Sequence, residues 1–334
     1  MTHRPRAHRI RVVAAGLLLL VTACSPAYST GSRASTAEST TTAKTTSITL
    51  VENSWTGSTA GVYLARWVLQ TQLGTKVKII QLDEIPVWPA MAQGRVDGLL
   101  ESWGHEDVYD TYITKQHTVV DGGPLGAVGH IGWYVPAYLV QQHPSLASWE
   151  GLKTLWQLFR TPESGSQGQM LDGSPSYVTN DGPIIKNLGL NFKVVYAGSE
   201  AAEIAQVRQA YAQRKPLLFY FYTPQWLNSQ LDLKEVALPP YTADCGKLAP
   251  EKINCAYPTY NLYKAFSARF AAANSPAYQV LRNMRLTNQD QDEISSLIAD
   301  KHMSPDAAAA AWGKAHPSVW SSWLPGHTQL PSTK

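Results

Sequence analysis

Ser47-Ile48-Thr49-Leu50-Val51, then the polar run Asn53-Ser54-Trp55-Thr56-Gly57-Ser58-Thr59, then Val62, Leu64, Ala65, Val68 and Leu69, then Val77 to Leu82: this stretch decides the fold. Ile48 and Leu50 alternate with polar neighbours, as in a strand with one buried face. Residues 53–59 supply capping side chains, and the apolar positions after them fall at helical spacing. A second strand follows at 77–82. Strand, capped helix and strand within about 35 residues read as a βαβ unit, which predicts a parallel sheet with ligand-facing loops at the carboxyl ends of its strands.

Upstream of this unit the chain carries Arg4, Arg6, Arg9 and Arg11, the apolar stretch Val12 to Val21, and Val21-Thr22-Ala23-Cys24. About ten apolar residues are too few for a hydrocarbon core that needs about twenty. The charged start, short apolar run and small residues therefore read as an export signal over residues 1–23. Cys24 directly after Val-Thr-Ala resembles a bacterial lipobox, which implies cleavage before Cys24, its acylation, and attachment to the cell membrane through lipid. Residues 24–46, rich in Ser, Thr and Ala, are too polar to offset the entropy of ordering and read as a flexible tether. A coil of that length spans about 25–30 Å. Removing the four arginines with the signal takes the formal net charge from +3 to −1. No basic run remains, so the electrostatic footprint of a nucleic-acid partner is missing.

The remaining chain of about 285 residues suits two lobes better than a single core. We expect a first lobe over 47–130, a second over 131–257 beginning around Gly129-His130-Ile131-Gly132-Trp133-Tyr134-Val135-Pro136, a return to the first over 258–325, and a tail over 326–334. Helices are expected near Pro89–Gln93, Leu152–Phe159, Ser199–Arg214, Pro276–Met284 and Asp290–Lys301, and a strand at Leu217–Tyr222. Apart from Cys24, the only cysteines are Cys245 and Cys255. In an oxidising compartment such a close pair reads as a disulfide, because zinc would need two further ligands nearby and none is evident. No metal and no cofactor is expected.

Eleven Trp and sixteen Tyr against six Phe is a bias towards rings with a polar handle. Three sit at ends of elements or in turns. Trp103 follows Leu99-Leu100-Glu101-Ser102, Tyr177 closes Gly173-Ser174-Pro175-Ser176, and Tyr222 ends Leu218-Phe219-Tyr220-Phe221. Rings from both lobes would meet across a cleft. A trimethylammonium group has no conventional hydrogen bond to offer or accept, so electron-rich ring faces must recognise it, each contributing about 0.5–2 kcal/mol.

Thr56-Gly57-Ser58-Thr59, Leu82-Asp83-Glu84 with Trp88, Gly94-Arg95-Val96-Asp97, Glu101-Ser102-Trp103, Gly173-Ser174-Pro175-Ser176-Tyr177, Lys215 to Trp226 and Trp312-Gly313-Lys314-Ala315-His316 occur in this order along the chain. Together they resemble the glycine betaine/proline-betaine binding proteins of ABC importers. The resemblance implies an α/β, two-lobed type II periplasmic-binding fold with a ligand cleft between the lobes. It further implies an extracytoplasmic solute-binding role, with an ABC permease and ATPase as partners. The three cage rings of that family fall on Trp103, Tyr177 and Tyr222; familiar members have Trp at the last two positions, so this cage is mixed. His105 lies near the place where some members use a histidine for the ligand carboxylate, at shorter spacing from the preceding Trp. For the carboxylate itself, backbone N–H groups of Thr56, Gly57 and Ser58 at a helix start are candidates, with Ser176 and Val178 near the cage. Glu101 or Asp107 beside the cage would instead favour choline.

Other readings remain open at this level. Choline, carnitine or a polyamine are alternative solutes, the last favoured by several cleft carboxylates. A sensor or adhesion lipoprotein on the same fold is another reading, against which neighbouring permease and ATPase genes would argue. An enzyme is disfavoured, since the chain has no Gly-x-Ser-x-Gly elbow, no His-Glu-x-x-His motif and no phosphate-binding Gly-rich loop. His105 and His130 read as surface or hinge residues and no catalytic residue is assigned.

Overall fold

The computed structural model describes residues 47–326. The signal 1–23, the lipidation site Cys24, the tether 24–46 and the tail beyond 326 lie outside the described residues.

Strand β1 (Ser47–Glu52) leads into helix α1 (Thr56–Leu73) and strand β2 (Lys76–Gln81), which pairs parallel with β1 from Ser47↔Lys76 to Glu52↔Gln81. Trp55 precedes the helix in extended conformation. Gly74 ends it at φ 63°, where its N–H reaches the carbonyls of Leu69 and Gln70. Glycine adopts that left-handed conformation without a Cβ penalty. Strand β3 (Gly98–Ser102) lies parallel to β1 on its other side. Alternation along these strands gives each face its own core: Leu50 and Leu100 pack with α1 and the C-terminal helices, while Val51 and Leu99 pack with Val87, Trp88 and Met91.

The sheet continues through β4 (Val119–Pro136), β5 (Gly168–Asp172), β6 (Phe192–Tyr196), β7 (Phe219–Thr223), β8 (Leu233–Glu235) and β9 (Thr259–Ser267). Its order is β2-β1-β3-β9-β4-β7-β5-β6, with β8 attached to β4. The sheet is mixed, where a parallel one was expected. The β1/β2/β3 and β5/β6/β7 groups are parallel, but β9 runs antiparallel to β3 and β4, and β4 antiparallel to β7. The difference comes from β4. Residues 129–136, taken as the entrance to a second lobe, are the second half of one 18-residue strand that pairs first with β9 and then with β7 and β8. Leu125, Ala127, Ile131, Trp133 and Val135 are buried at every second position or a multiple of it, but interspersed glycines obscure the alternation in sequence. Strands β4 and β9 thus join two halves, each with cores on both faces of its sheet.

Local caps set where two of the interior-facing helices begin. Glu200–Ala212 starts on the Ser199 side chain, which accepts the Ala202 N–H. Asn288–Ala299 starts on a capping box of Thr287 and Asp290 and carries Gln291 into the interior. Trp149–Leu155 is followed by a 3-10 turn over Trp156–Phe159, where a single helix was expected. Cys245 and Cys255 are bonded to each other and pack at the edge of the second half's core. Among the described residues no helix is long and apolar enough to cross a membrane, and no group of three or more His, Cys, Asp or Glu could hold a metal ion.

Candidate ligand-binding site

Three chain segments from the first half and two from the second bring aromatic rings to one cavity of about 410 Å³ counted to its mouth. The start of α1 supplies Trp55, the end of β3 supplies Trp103, and β9 supplies Tyr260. Across the cavity, β7 supplies Tyr220 and Tyr222, and the turn after β5 supplies Tyr177. Ring centroids of Trp103 and Tyr222 lie 5.4 Å apart at 83°, those of Trp103 and Tyr260 5.8 Å apart, and those of Trp55 and Tyr177 6.1 Å apart at 75°. The structure therefore brings Trp103, Tyr177 and Tyr222 to one cavity, with His105 and Val178 beside them. Burial pushes the phenols of Tyr177, Tyr220 and Tyr222 up, so these rings stay neutral and keep their protons.

Buried carboxyls hold the rings in place. Glu101, 3% exposed, accepts the indole N–H of both Trp55 and Trp103 on one oxygen, each at 2.7 Å. Its other oxygen accepts from the Gln291 amide. Burial raises the Glu101 carboxyl to about 7 against the pull of these donors. Glu200 accepts the hydroxyl of Tyr222 and the Gln225 amide, the latter at 3.2 Å. Asp181 accepts from the Trp133 indole at 2.6 Å and the Tyr257 hydroxyl at 2.7 Å, behind Tyr220. Two glycines make room. A Cβ at Gly129 would come within 2.4 Å of the Trp103 ring, and one at Gly173 within 2.8 Å of the Tyr177 ring.

The mouth is polar. Glu84 lines it, with one oxygen 2.5 Å from His105 Nε2 and the other accepting the Val178 N–H at 3.4 Å. The Ser54 and Ser176 hydroxyls lie 3.4 Å apart across the cleft. No Lys or Arg lines the cavity.

The helix start, expected to contact the ligand, lies outside the cavity lining and bonds within the chain. Thr56, Gly57 and Ser58 do not line the cavity. The Thr56 N–H donates to Glu200 at 2.8 Å and its hydroxyl to the same oxygen. Ser58 turns back to accept the Asn53 N–H at 2.9 Å, and Gly57 faces Gln291 and Glu101. The helix terminus attracts a carboxylate as its geometry requires, but that carboxylate belongs to the chain. Asp107 also stays out of the cavity, and Glu101 sits behind the indoles as their acceptor.

Trp55, Tyr220, Tyr260, Ile131 and Glu84 line the cavity without having been expected there. Tyr220 was legible: in Leu218-Phe219-Tyr220-Phe221-Tyr222, period two places both tyrosines on one face and both phenylalanines on the other. Tyr260 and Ile131 carried no local signal, since they lie within the antiparallel strands β9 and β4.

The fold has known counterparts. The lactococcal OpuAC protein, in its closed-liganded conformation complexed with glycine betaine, superposes with a TM-score of 0.66 at 21% identity, covering 84% of this chain and 99% of that one. An ABC-transporter choline binding protein in complex with choline gives 0.68 at 20% identity, covering 84% and 92%. The trimethylamine N-oxide-binding protein of Pelagibacter ubique (strain HTCC1062) is 25% identical over 294 residues, which is 82% of this chain and 89% of that protein. These are binding proteins and not enzymes. With residues 46–315 matching the model for the substrate binding domain of the ABC-type glycine betaine transport system, the chain belongs to that family of substrate-binding proteins.

Proposed function

We propose that this chain is the extracytoplasmic receptor of an ABC importer and captures a small quaternary ammonium compound in the aromatic cavity, delivering it to a permease driven by an ATPase. The observation that carries the reading is the convergence of Trp55, Trp103, Tyr177, Tyr220, Tyr222 and Tyr260 on one cavity whose lining includes no Lys or Arg. Ring faces attract a cation whose methyl groups leave nothing to hydrogen-bond, and the ion gains most where water is excluded. Relatives named for binding glycine betaine, choline and trimethylamine N-oxide support the solute class. Calorimetry with glycine betaine, proline betaine, choline, carnitine and trimethylamine N-oxide tests it. At least one should bind and raise the melting temperature, since a ligand that binds only the folded state stabilises it. Absence of heat and of any thermal shift with all five would sink the reading.

The compartment follows from the first 24 residues, which support a lipoprotein held at the membrane through Cys24. A Cys24→Ala variant expressed in a bacterial host should lose fatty-acid labelling and leave the membrane fraction. Unchanged labelling would count against this anchor.

A further inference from the structure

A buried carboxyl ties the two halves together across the cleft. Glu200, 4% exposed, opens a helix of the second half. One of its oxygens accepts the Tyr222 hydroxyl and, at 3.2 Å, the Gln225 amide, both from its own half. The other accepts from the first half, taking the Thr56 N–H at 2.8 Å and the Thr56 hydroxyl. Four donors thus converge on a single carboxyl, and one of them belongs to a ring that lines the cavity. The Thr56 N–H is among the helix-start donors that have no partner inside α1, and Trp55 before it supplies no side-chain cap. Three further polar contacts between the halves are more exposed. Ser54 with Ser176 and Val178 with Glu84 each span 3.4 Å. Arg208 pairs with Asp300 at 2.9 Å, but its side chain is 43% exposed, and such ion pairs contribute little.

From this arrangement we infer that Glu200 is a positioning residue for the ligand site: it latches α1 to the ring of Tyr222 and so sets how long the closed cavity holds its ligand. This deepens the proposed function and rests on it. The bond from Tyr222 lies within one half and survives parting of the halves, so it keeps the carboxyl aimed at Thr56. The bonds from Thr56 exist only while the halves are together. An interaction made in one of two conformations shifts the equilibrium towards that conformation. Ligand contacts with Trp103 and Tyr222 also require both halves, so latch and ligand favour the same closed form, and less of the ligand's binding energy goes into closing the cleft. Escape requires opening. Losing the latch therefore speeds release and leaves capture by the open form nearly unchanged.

Thr56→Pro isolates the latch. Proline removes both Thr56 donors, suits a first helical position, and would follow a residue, Trp55, that is already extended at φ −122° and ψ 154°. Thr56 does not line the cavity, so Glu200 and every ring stay in place. Glu200→Ala removes the same bonds from the other side. Stopped-flow fluorescence with glycine betaine, proline betaine, choline, carnitine and trimethylamine N-oxide reads capture and release separately. In both variants release should be about tenfold faster, with capture within about twofold of wild type. Small-angle X-ray scattering of the unliganded proteins should give both variants a larger radius of gyration than wild type, a change that a direct contact between Glu200 and ligand would not produce. Either variant that melts cooperatively decides alone. Wild-type release from a folded variant, or an unliganded radius equal to that of wild type, would overturn the inference while leaving the proposed function intact. Binding of none of the five compounds would remove the proposed function and the inference with it.

Discussion

Replacing Trp103 and Tyr222 together by alanine is expected to weaken binding of a quaternary ammonium ligand by about two orders of magnitude, from roughly 1–2 kcal/mol of cation–π attraction per ring. The two rings stand edge to face at 5.4 Å and come from opposite halves of the molecule, so both contacts depend on the halves meeting around the ligand. Tyr222→Phe separates the ring face from the hydroxyl. It keeps the π surface and loses only the bond to Glu200, and should cost much less affinity than the alanine variant. Calorimetry reads the affinity and a thermal melt checks the fold. Wild-type affinity in a folded double variant would rule out these rings as the cage.

The second large effect is expected at Glu101, where one buried oxygen holds two indoles. Glu101→Leu leaves the Trp55 and Trp103 N–H groups without their acceptor. A buried donor left unsatisfied costs about 1–3 kcal/mol, so the pair should lower stability by about 3 kcal/mol or more, and loosen both walls of the cavity. Glu101→Gln should behave differently. Its amide oxygen still accepts both indoles, and its amide nitrogen can donate to Gln291, whose own amide oxygen is buried without a partner. Denaturant melts compare the three proteins; equal midpoints for wild type and Glu101→Leu would refute the role.

The same comparison carries a pH signature. Burial raises the folded carboxyl to about 7, above its unfolded value of 4.5. Below pH 4.5 the group is protonated in both states. Between about 4.5 and 7 the unfolded chain releases this proton while the folded chain keeps it, so stability falls as pH rises through that window and levels off above it. For Glu101 alone the loss is about 3 kcal/mol. Asp172, raised to about 8, and Asp292, raised to about 6, act in the same direction. The difference between wild type and Glu101→Gln removes those shared contributions. That difference should change across pH 4.5–7 in favour of the glutamine variant, and a flat difference would contradict the assignment.

Much of the fold can be read from local pattern. Helix α1, strands β1 and β2 and the Glu200–Ala212 helix are legible because capping residues and apolar spacing act within a few residues of chain. Strand β4 is not, because five glycines between 122 and 132 interrupt its alternation, and its pairing partners lie in β9 and β7, more than eighty residues on. Only distant strands could reveal it.

The site divides the same way. Trp103, Tyr177 and Tyr222 were accessible through a family resemblance, and Tyr220 through period two, because a ring's identity and its face on a strand are properties of the segment itself. The occupation of α1's first N–H by Glu200, 144 residues away, was not accessible, nor was the sharing of Glu101 by two indoles. A helix start advertises a place for a negative charge whatever supplies it, and local sequence is silent on the supplier. Once tertiary packing brings a carboxylate of the chain there, the place is filled, and the carboxyl that lines the cavity is that of Glu84, beside His105.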